Sequence, residues 1–382
     1  MKKAVPSLLL VLSILLCTIA IFPAGAAAAT SGSFTYTLDK SGAATITGYS
    51  GTDAVLTIPA ALDGHPVRTI GQNAINRKSF TKVILSEGIE VLDSYSFEHN
   101  DYLTEIQLPH SLKAIGTMAF QACTKLKALH IPENVSTIGT HLVWNSGVEQ
   151  ITVDAANQTL QSVDGVLYSK DGKTLHAYPP KKEGAYTVLD GTEIIARAAF
   201  MNCKVTALQF PASLRSLEYQ AFSCCNQLTS VSFATGPAQI GSYVFQKCST
   251  LTELIIPAGT TKLGGYLVAE CTALKKLSLP GSITEISEKA FRDAPSGLTV
   301  YTPAPGKVSE LADAVGITLI LTQKGDVNGD GSINVADIMM LKNIIMSDLS
   351  SPELLEIADF DNSGQIDVAD IVALKKIIMG LL

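Results

Sequence analysis

The chain has 382 residues, 35 of them acidic and 28 basic, for a net charge of −7. Ten acids but only four lysines fall in the last sixty residues, so the acidity is concentrated at the C-terminus. No basic patch of the kind that neutralises phosphates is present, which argues against a nucleic-acid partner, and past the N-terminus no stretch is apolar and long enough to span a bilayer.

Residues 1–29 open with Lys2 and Lys3, continue as an apolar run through Phe22 and end on small residues, Ala26 to Ala29. This is the pattern of a secretory signal peptide, removed on export. Leu16, rather than a small residue, precedes Cys17, which argues against a lipid-anchored cysteine. The mature protein is therefore expected to be soluble and extracellular.

From about Ser33 to Leu321 the chain repeats itself. The Ile or Leu of an "IG"-like pair returns at Ile70, Leu92, Ile115 and Ile138, and again at Ile195, Leu217, Ile240, Leu263 and Ile286, with spacings of 22 or 23 residues. Five residues after it stands an aromatic residue (Phe97, Phe120, Phe200, Phe222, Phe245, Phe291), and eight after it a small one, often Cys. An L-x-x-[IVL]-x-[LIF]-P strand follows, as at Leu126, Leu129, Ile131 and Pro132. Such a period predicts a solenoid in which no unit buries its apolar face alone. One short strand per repeat is expected to stack in a parallel sheet, with the Pro ending it.

The pattern resembles the BspA-like type of leucine-rich repeat, found on secreted and surface proteins. The N-terminal FTYTLDKSGAATITGYSGTDAVLTIP and the C-terminal SELADAVGITLI are similar to that family's caps, placed here at 30–69 and 304–322. The period is interrupted at about 154–194, where VLYSKDGKTLHAY alternates around Asp171-Gly172 and predicts an inserted β-hairpin or sheet extension, either a spacer or a binding element.

Cys123, Cys203, Cys225, Cys248 and Cys271 all occupy the same repeat position, where other units carry Asn100, Ser146 or Ala294. A repeated small group predicts a buried ladder of free thiols rather than disulfides; Cys224 is off the pattern. No catalytic residue is indicated: serine-hydrolase elbows and zinc-binding H-E-x-x-H helices are absent, and the histidines show no ligand spacing. The outward residues of the expected strands, such as Glu105, Gln107, His130, Gln150, Thr152, Gln209, Ser230 and Ser232, include no aromatic platform. A protein or surface ligand therefore suits that face better than a glycan.

Two copies of a metal loop follow, 33 residues apart. A calcium loop of about 12 residues needs oxygens at positions 1, 3, 5, 7, 9 and 12 and Gly at 6. The first copy offers Asp326, Asn328, Asp330, the carbonyl of Ser332, Asn334 and Asp337 around Gly331. The second offers Asp359, Asp361, Ser363, the carbonyl of Gln365, Asp367 and Asp370 around Gly364. Each runs into an apolar helix start, IMMLKNIIM or IVALKKIIM, and no clear helix precedes the first. This paired loop–helix unit, from Gly325 to Leu382, resembles a type I dockerin.

The resemblance implies two bound calcium ions and docking to a cohesin module of a scaffoldin. It places the cohesin contacts at Val335, Ala336, Lys342 and Asn343 and at Val368, Ala369, Lys375 and Lys376. Near-identity of the two copies implies two docking poses related by a half-turn. Val-Ala stands in both copies where many dockerins carry a Ser-Thr pair, which implies a more apolar contact.

The fold class expected is a repeat solenoid, a β-rich leucine-rich-repeat array with short parallel strands, plus a small α-helical double EF-hand-like dockerin domain. The domains expected are the signal peptide at 1–29, the repeats at 30–322 and the dockerin at 323–382. The function expected is that of a secreted, adhesion-type binding protein docked to a cellulosome-type polysaccharide-degrading complex. The alternative is a carbohydrate-active or proteolytic enzyme whose site in the repeats carries no known motif.

Overall fold

A computed structural model describes residues 28–303, 306–327, 333–346, 355 and 357–381. The expected leader lies outside the described residues except for Ala28 and Ala29, and Ala29 already begins the first strand, Ala29–Ser31, antiparallel to Phe34–Leu38.

The repeats wind into a β-solenoid. Each turn contributes two strands, not the one expected from the sequence. The L-x-x-[IVL]-x-[LIF] segments form one set, for instance Ala128–Ile131 with Gln150–Val153 and Val205–Phe210 with Ser230–Phe233, paired parallel in register from turn to turn. A second parallel set consists of two-residue strands ending on the repeat-start Ile or Leu: Val91–Leu92, Ala114–Ile115 and Thr137–Ile138 in one half, Ile194–Ile195, Ser216–Leu217, Gln239–Ile240, Lys262–Leu263 and Glu285–Ile286 in the other. Two residues are too few to show a period of two, which is why the sequence conceals this second sheet.

The glycine after the repeat-start residue has a steric origin. A Cβ at Gly116, Gly139 or Gly264 would lie 2.6, 2.2 or 2.3 Å from backbone atoms of the preceding turn, so only a bare Cα lets the turns stack. Most turns also hold two residues in the left-handed region, three and seven positions after the repeat start. Tyr95 and His99 (φ 60° and 55°) and Gln220 and Cys224 (φ 58° and 64°) are examples. Non-glycine residues resist this conformation. It is held here by hydrogen bonds to the next turn, Tyr95 N to Thr117 O at 2.9 Å and Cys224 N to Gln246 O at 2.8 Å among them.

The aromatic position forms the spine of the core. Phe97, Phe120, Phe200, Phe222, Phe245 and Phe291 are all buried, and Phe222 stacks on Phe245 with ring centroids 5.4 Å apart. Beside the spine runs the small-residue ladder. Each of the five patterned thiols donates to a carbonyl of the preceding turn: Cys225 Sγ to Phe200 O at 3.0 Å, Cys271 Sγ to Phe245 O at 2.8 Å. Asn100 fills the same position with Nδ2 donating to Ile75 O and Phe97 O, both at 2.8 Å. In these turns the ladder residue is a buried donor that adds a second hydrogen bond to a carbonyl such as Phe200 O, which also accepts from Cys203 N at 3.1 Å. All six described cysteines are free thiols.

The segment expected as a hairpin or sheet extension is a three-stranded antiparallel meander, Leu160–Val163, Val166–Ser169 and Thr174–Ala177. Its first turn, Asp164-Gly165, has φ of 51° and 74°, a two-residue reversal whose Asp-Gly signal is present in the sequence. Its last strand pairs parallel with Ile194–Ile195 and so restarts the array. The middle strand alternates between two cores: Leu167 packs into the N-terminal cluster, Val166 and Tyr168 into the C-terminal one. The insertion is thus an internal wall rather than a projection.

The array closes with Thr299–Thr302, helix α1 (Gly306–Ala314) and the parallel strand Thr318–Leu321, with Val308 and Ala312 sealing the last turn. Helices α2 (Val335–Met346) and α3 (Val368–Ile378) follow, packed on a separate small core around Leu341 and Leu374.

Candidate calcium module and repeat groove

The second metal loop is described throughout. A carboxylate oxygen from each of Asp359, Asp361 and Asp370 lies within 4.8 Å of the others, the one such group of three among the described residues. Backbone donors hold the triad. Asp370 accepts from Phe360 N at 2.7 Å and from Asp367 N at 2.8 Å, and Asp359 accepts from Ser363 N and Gly364 N at 3.1 and 2.8 Å. Gly364, at φ 82°, makes the turn that aims these N–H groups inward. The Ser363 hydroxyl, followed by its backbone N–H, keeps the Asp361 carboxyl below the usual carboxylate range. Three acceptor-only groups this close repel one another unless a cation sits among them, and hard oxygens suit calcium.

Asp367 stands outside the triad. Its side chain accepts from Ala369 N at 2.7 Å and caps α3, in a capping box with Asp370. Ser363 Oγ donates to the Gln365 carbonyl at 3.1 Å.

In the first loop Asn328, Asp330 and Ser332 lie outside the described residues. Asp326 and Asp337 are buried, Asn334 N donates to Asp337 Oδ2 at 2.8 Å, and Ala336 N donates to Asn334 Oδ1 at 2.8 Å. Positions 9 and 12 therefore repeat the geometry of the second copy.

The two helices also repeat one exposed stripe. All eight residues expected to touch a cohesin are exposed. Sequence reasoning missed their apolar neighbours: Met339 and Met346 on α2, Val372 and Met379 on α3, likewise exposed. Val335, Met339, Lys342 and Met346 fall at i, i+4, i+7 and i+11, one face of a helix, and Val368, Val372, Lys375 and Met379 match them position for position. That spacing was available in the sequence.

The solenoid has a second feature. A groove of about 1070 Å³ runs over the outward side of the two-residue strands of the C-terminal half, with Thr117 and Thr140 of the N-terminal half contributing to its lining. Ser216, Gln239, Lys262 and Glu285 line it from successive turns, joined by Glu218 and Tyr219. The Arg197 guanidinium lies over the Tyr219 ring, 4.8 Å from its centroid. Tyr243 stacks on Tyr266 with centroids 4.4 Å apart and 8° between planes, and meets Tyr219 edge-on at 5.5 Å.

Comparison with known proteins agrees with both modules. The BspA type leucine rich repeat region, in six copies, matches residues 58–163 and 185–304, and the dockerin type I domain matches residues 324–379. The chain belongs to the BspA-type leucine-rich repeat family and ends in a type I dockerin. Among solved structures it is similar to the pneumococcal vaccine antigen PcpA, at 19% identity and a TM-score of 0.54, covering 78% of this chain and 98% of that one. A leucine-rich repeat protein from Eubacterium ventriosum aligns at 17% identity and a TM-score of 0.51, covering 71% and 83%. These likenesses show the fold alone. Comparison with curated proteins finds no match.

As a type I dockerin the C-terminal module is a calcium-binding partner of cohesins, and the repeats make the chain a docking protein with a repeat-built binding region. No helix among the described residues is long and apolar enough to cross a membrane.

Proposed function

We propose that this is a secreted, non-catalytic binding protein, exported by a leader within residues 1–29. In this reading residues 323–382 dock it onto a scaffoldin of a cellulosome-type polysaccharide-degrading complex, where the repeats at 30–322 hold a ligand. The observation that carries the reading is the duplication in the dockerin: two metal loops, each feeding a helix with the same exposed Val–Lys–Met stripe. Two calcium ions would be held, one by Asp326, Asn328, Asp330, Ser332, Asn334 and Asp337, the other by Asp359, Asp361, Ser363, Gln365, Asp367 and Asp370. Asp367, already engaged as a cap, would act through a water, as position 9 of such loops often does.

The cohesin contact would comprise Val335, Ala336, Lys342, Asn343, Val368, Ala369, Lys375 and Lys376, widened by Met339 and Val372. Binding rather than catalysis is supported by the groove carboxylates. Glu285 pairs with Lys262 at 2.8 Å, and Glu218 accepts from Arg197 N at 3.0 Å. Both carboxylates are thus already engaged by donors of the protein itself.

The test is binding of the purified chain to an array of cohesin modules. Binding should vanish in EDTA and return with calcium. Asp326→Ala with Asp359→Ala should abolish it, while either single change leaves one pose usable. Full-strength binding by the double variant would refute the docking reading.

A further inference from the structure

The groove over the two-residue strands has no assigned ligand. We propose that it is the ligand site of the repeats and that it takes a neutral polysaccharide chain; the proposal rests on the reading that the repeats bind rather than cut.

Three observations point to this chemistry. First, the residues that carry polar ends on successive turns, exposed Gln239, Lys262 and Glu285 and buried Ser216, whose hydroxyl accepts from Gln239 Nε2 at 3.1 Å, sit on strands that stack in parallel register. Neighbouring strands are ~4.8 Å apart, so hydroxyl, amide, ammonium and carboxylate recur at that interval along the solenoid axis. An extended chain with hydroxyls on every unit can engage each step. At about 1070 Å³ and open to solvent along its length, the groove has room for several units of such a chain.

Second, the groove is electrically balanced. Its two cations, Arg197 and Lys262, face two carboxylates, Glu218 and Glu285, and Lys262 is already paired with Glu285. A polyanion such as nucleic acid would meet no surplus of positive charge. A neutral ligand loses nothing by this balance.

Third, Tyr219 lines the groove and begins a row of three rings with Tyr243 and Tyr266. On the long-strand face expected to bind ligand the outward ring among the described residues is Tyr301 of Thr299–Thr302, with the Lys276 ammonium 5.5 Å from its centroid. A peptide fits less well. Its affinity comes from apolar anchors or from adding a strand to a free edge, whereas here Leu217, Ile240 and Leu263 are buried beneath the floor and the floor strands Ser216–Leu217, Gln239–Ile240 and Lys262–Leu263 are paired on both sides, which leaves the two residues Glu285–Ile286 as the edge.

The test is native affinity electrophoresis of the full chain in gels containing hydroxyethylcellulose, xyloglucan, arabinoxylan or galactomannan, with polygalacturonate as the charged control. At least one neutral polymer should retard the wild type, with EDTA leaving that retardation unchanged because the dockerin is not involved. Gln239→Ala with Lys262→Ala should weaken it at least tenfold, and so should Tyr219→Ala. Gln239 and Lys262 are exposed, so the double variant should keep the wild-type circular dichroism spectrum. Three results would overturn the proposal: no retardation by any neutral polymer, equal retardation of the double variant, or capture of gelatin that the double variant loses, which would make the occupant a polypeptide. Release of reducing sugar lost in Glu218→Gln would instead overturn the binding reading itself.

Discussion

Replacing Asp370 by Ala tests whether the dockerin is folded by its metal loop. The side chain is fully buried and accepts two backbone hydrogen bonds, from Phe360 N at 2.7 Å and Asp367 N at 2.8 Å. A hydrogen bond to a charged acceptor contributes about 1.5–3 kcal/mol, so losing both should cost about 3–6 kcal/mol. A core as small as the one around Leu341 and Leu374 rarely supplies more than about 3–5 kcal/mol in total. Calcium at a hundred times its dissociation constant adds about 2.7 kcal/mol, and the variant also removes one of three converging carboxylates. Asp370→Ala should therefore leave the module unfolded with or without calcium. Ellipticity at 222 nm reports α2 and α3, whereas the single Trp, Trp144, reports the repeats. The helical signal should fall and no longer titrate with calcium, while Trp144 emission stays at the wild-type value. Exposed Asp361 is the control: Asp361→Ala should keep the fold at saturating calcium and only raise the calcium required. A wild-type calcium titration for Asp370→Ala would refute the reasoning.

Burial pushes the Cys123 and Cys225 thiols up to about 12 and raises Cys203 and Cys248 as well. Cys271 is instead lowered by its hydrogen bond with Cys248, but it is fully buried. Of the six described cysteines only half-buried Cys224 is reachable from solvent, so it alone should react with Ellman's reagent in the native mature protein, the rest after guanidinium. Cys225→Ala should cost about 0.5–1.5 kcal/mol by removing one of the two donors to Phe200 O, which keeps Cys203 N at 3.1 Å, and Cys225→Ser less; equal melting temperatures for wild type and both variants would contradict the ladder. His141 and His176 are pushed below the usual imidazole value of 6.5, chiefly by burial and for His141 also by Arg197. The folded state keeps them neutral while the unfolded chain takes up protons, so their contribution to stability is complete above about pH 6.5 and is lost as pH falls below it. His141→Gln with His176→Gln should flatten that decline in Trp144-monitored melting between pH 7.5 and 5.5, and an unchanged slope would exclude them as its cause. Gly264→Ala sets a Cβ 2.3 Å from the Gly241 carbonyl carbon and should destabilise by about 1–3 kcal/mol, read as a lower thermal midpoint.

The sequence by itself determined the modules, because both depend on repetition. Each metal loop needs oxygens at set intervals within one short segment, so its ligands are legible without knowing what lies across from them. The buried Phe spine and the thiol ladder are likewise local patterns copied from turn to turn. Even the apolar stripe of α2 and α3 could be read at helical spacing from Val335 and Val368. Other features arise only when turns are laid on one another. Ser216, Gln239, Lys262 and Glu285 sit 23 residues apart in the chain and become neighbours through strands too short to announce themselves. The groove, the tyrosine row beside it and the insertion's role as a wall between two cores follow from that stacking, since contacts made across a full turn leave no trace within a single repeat.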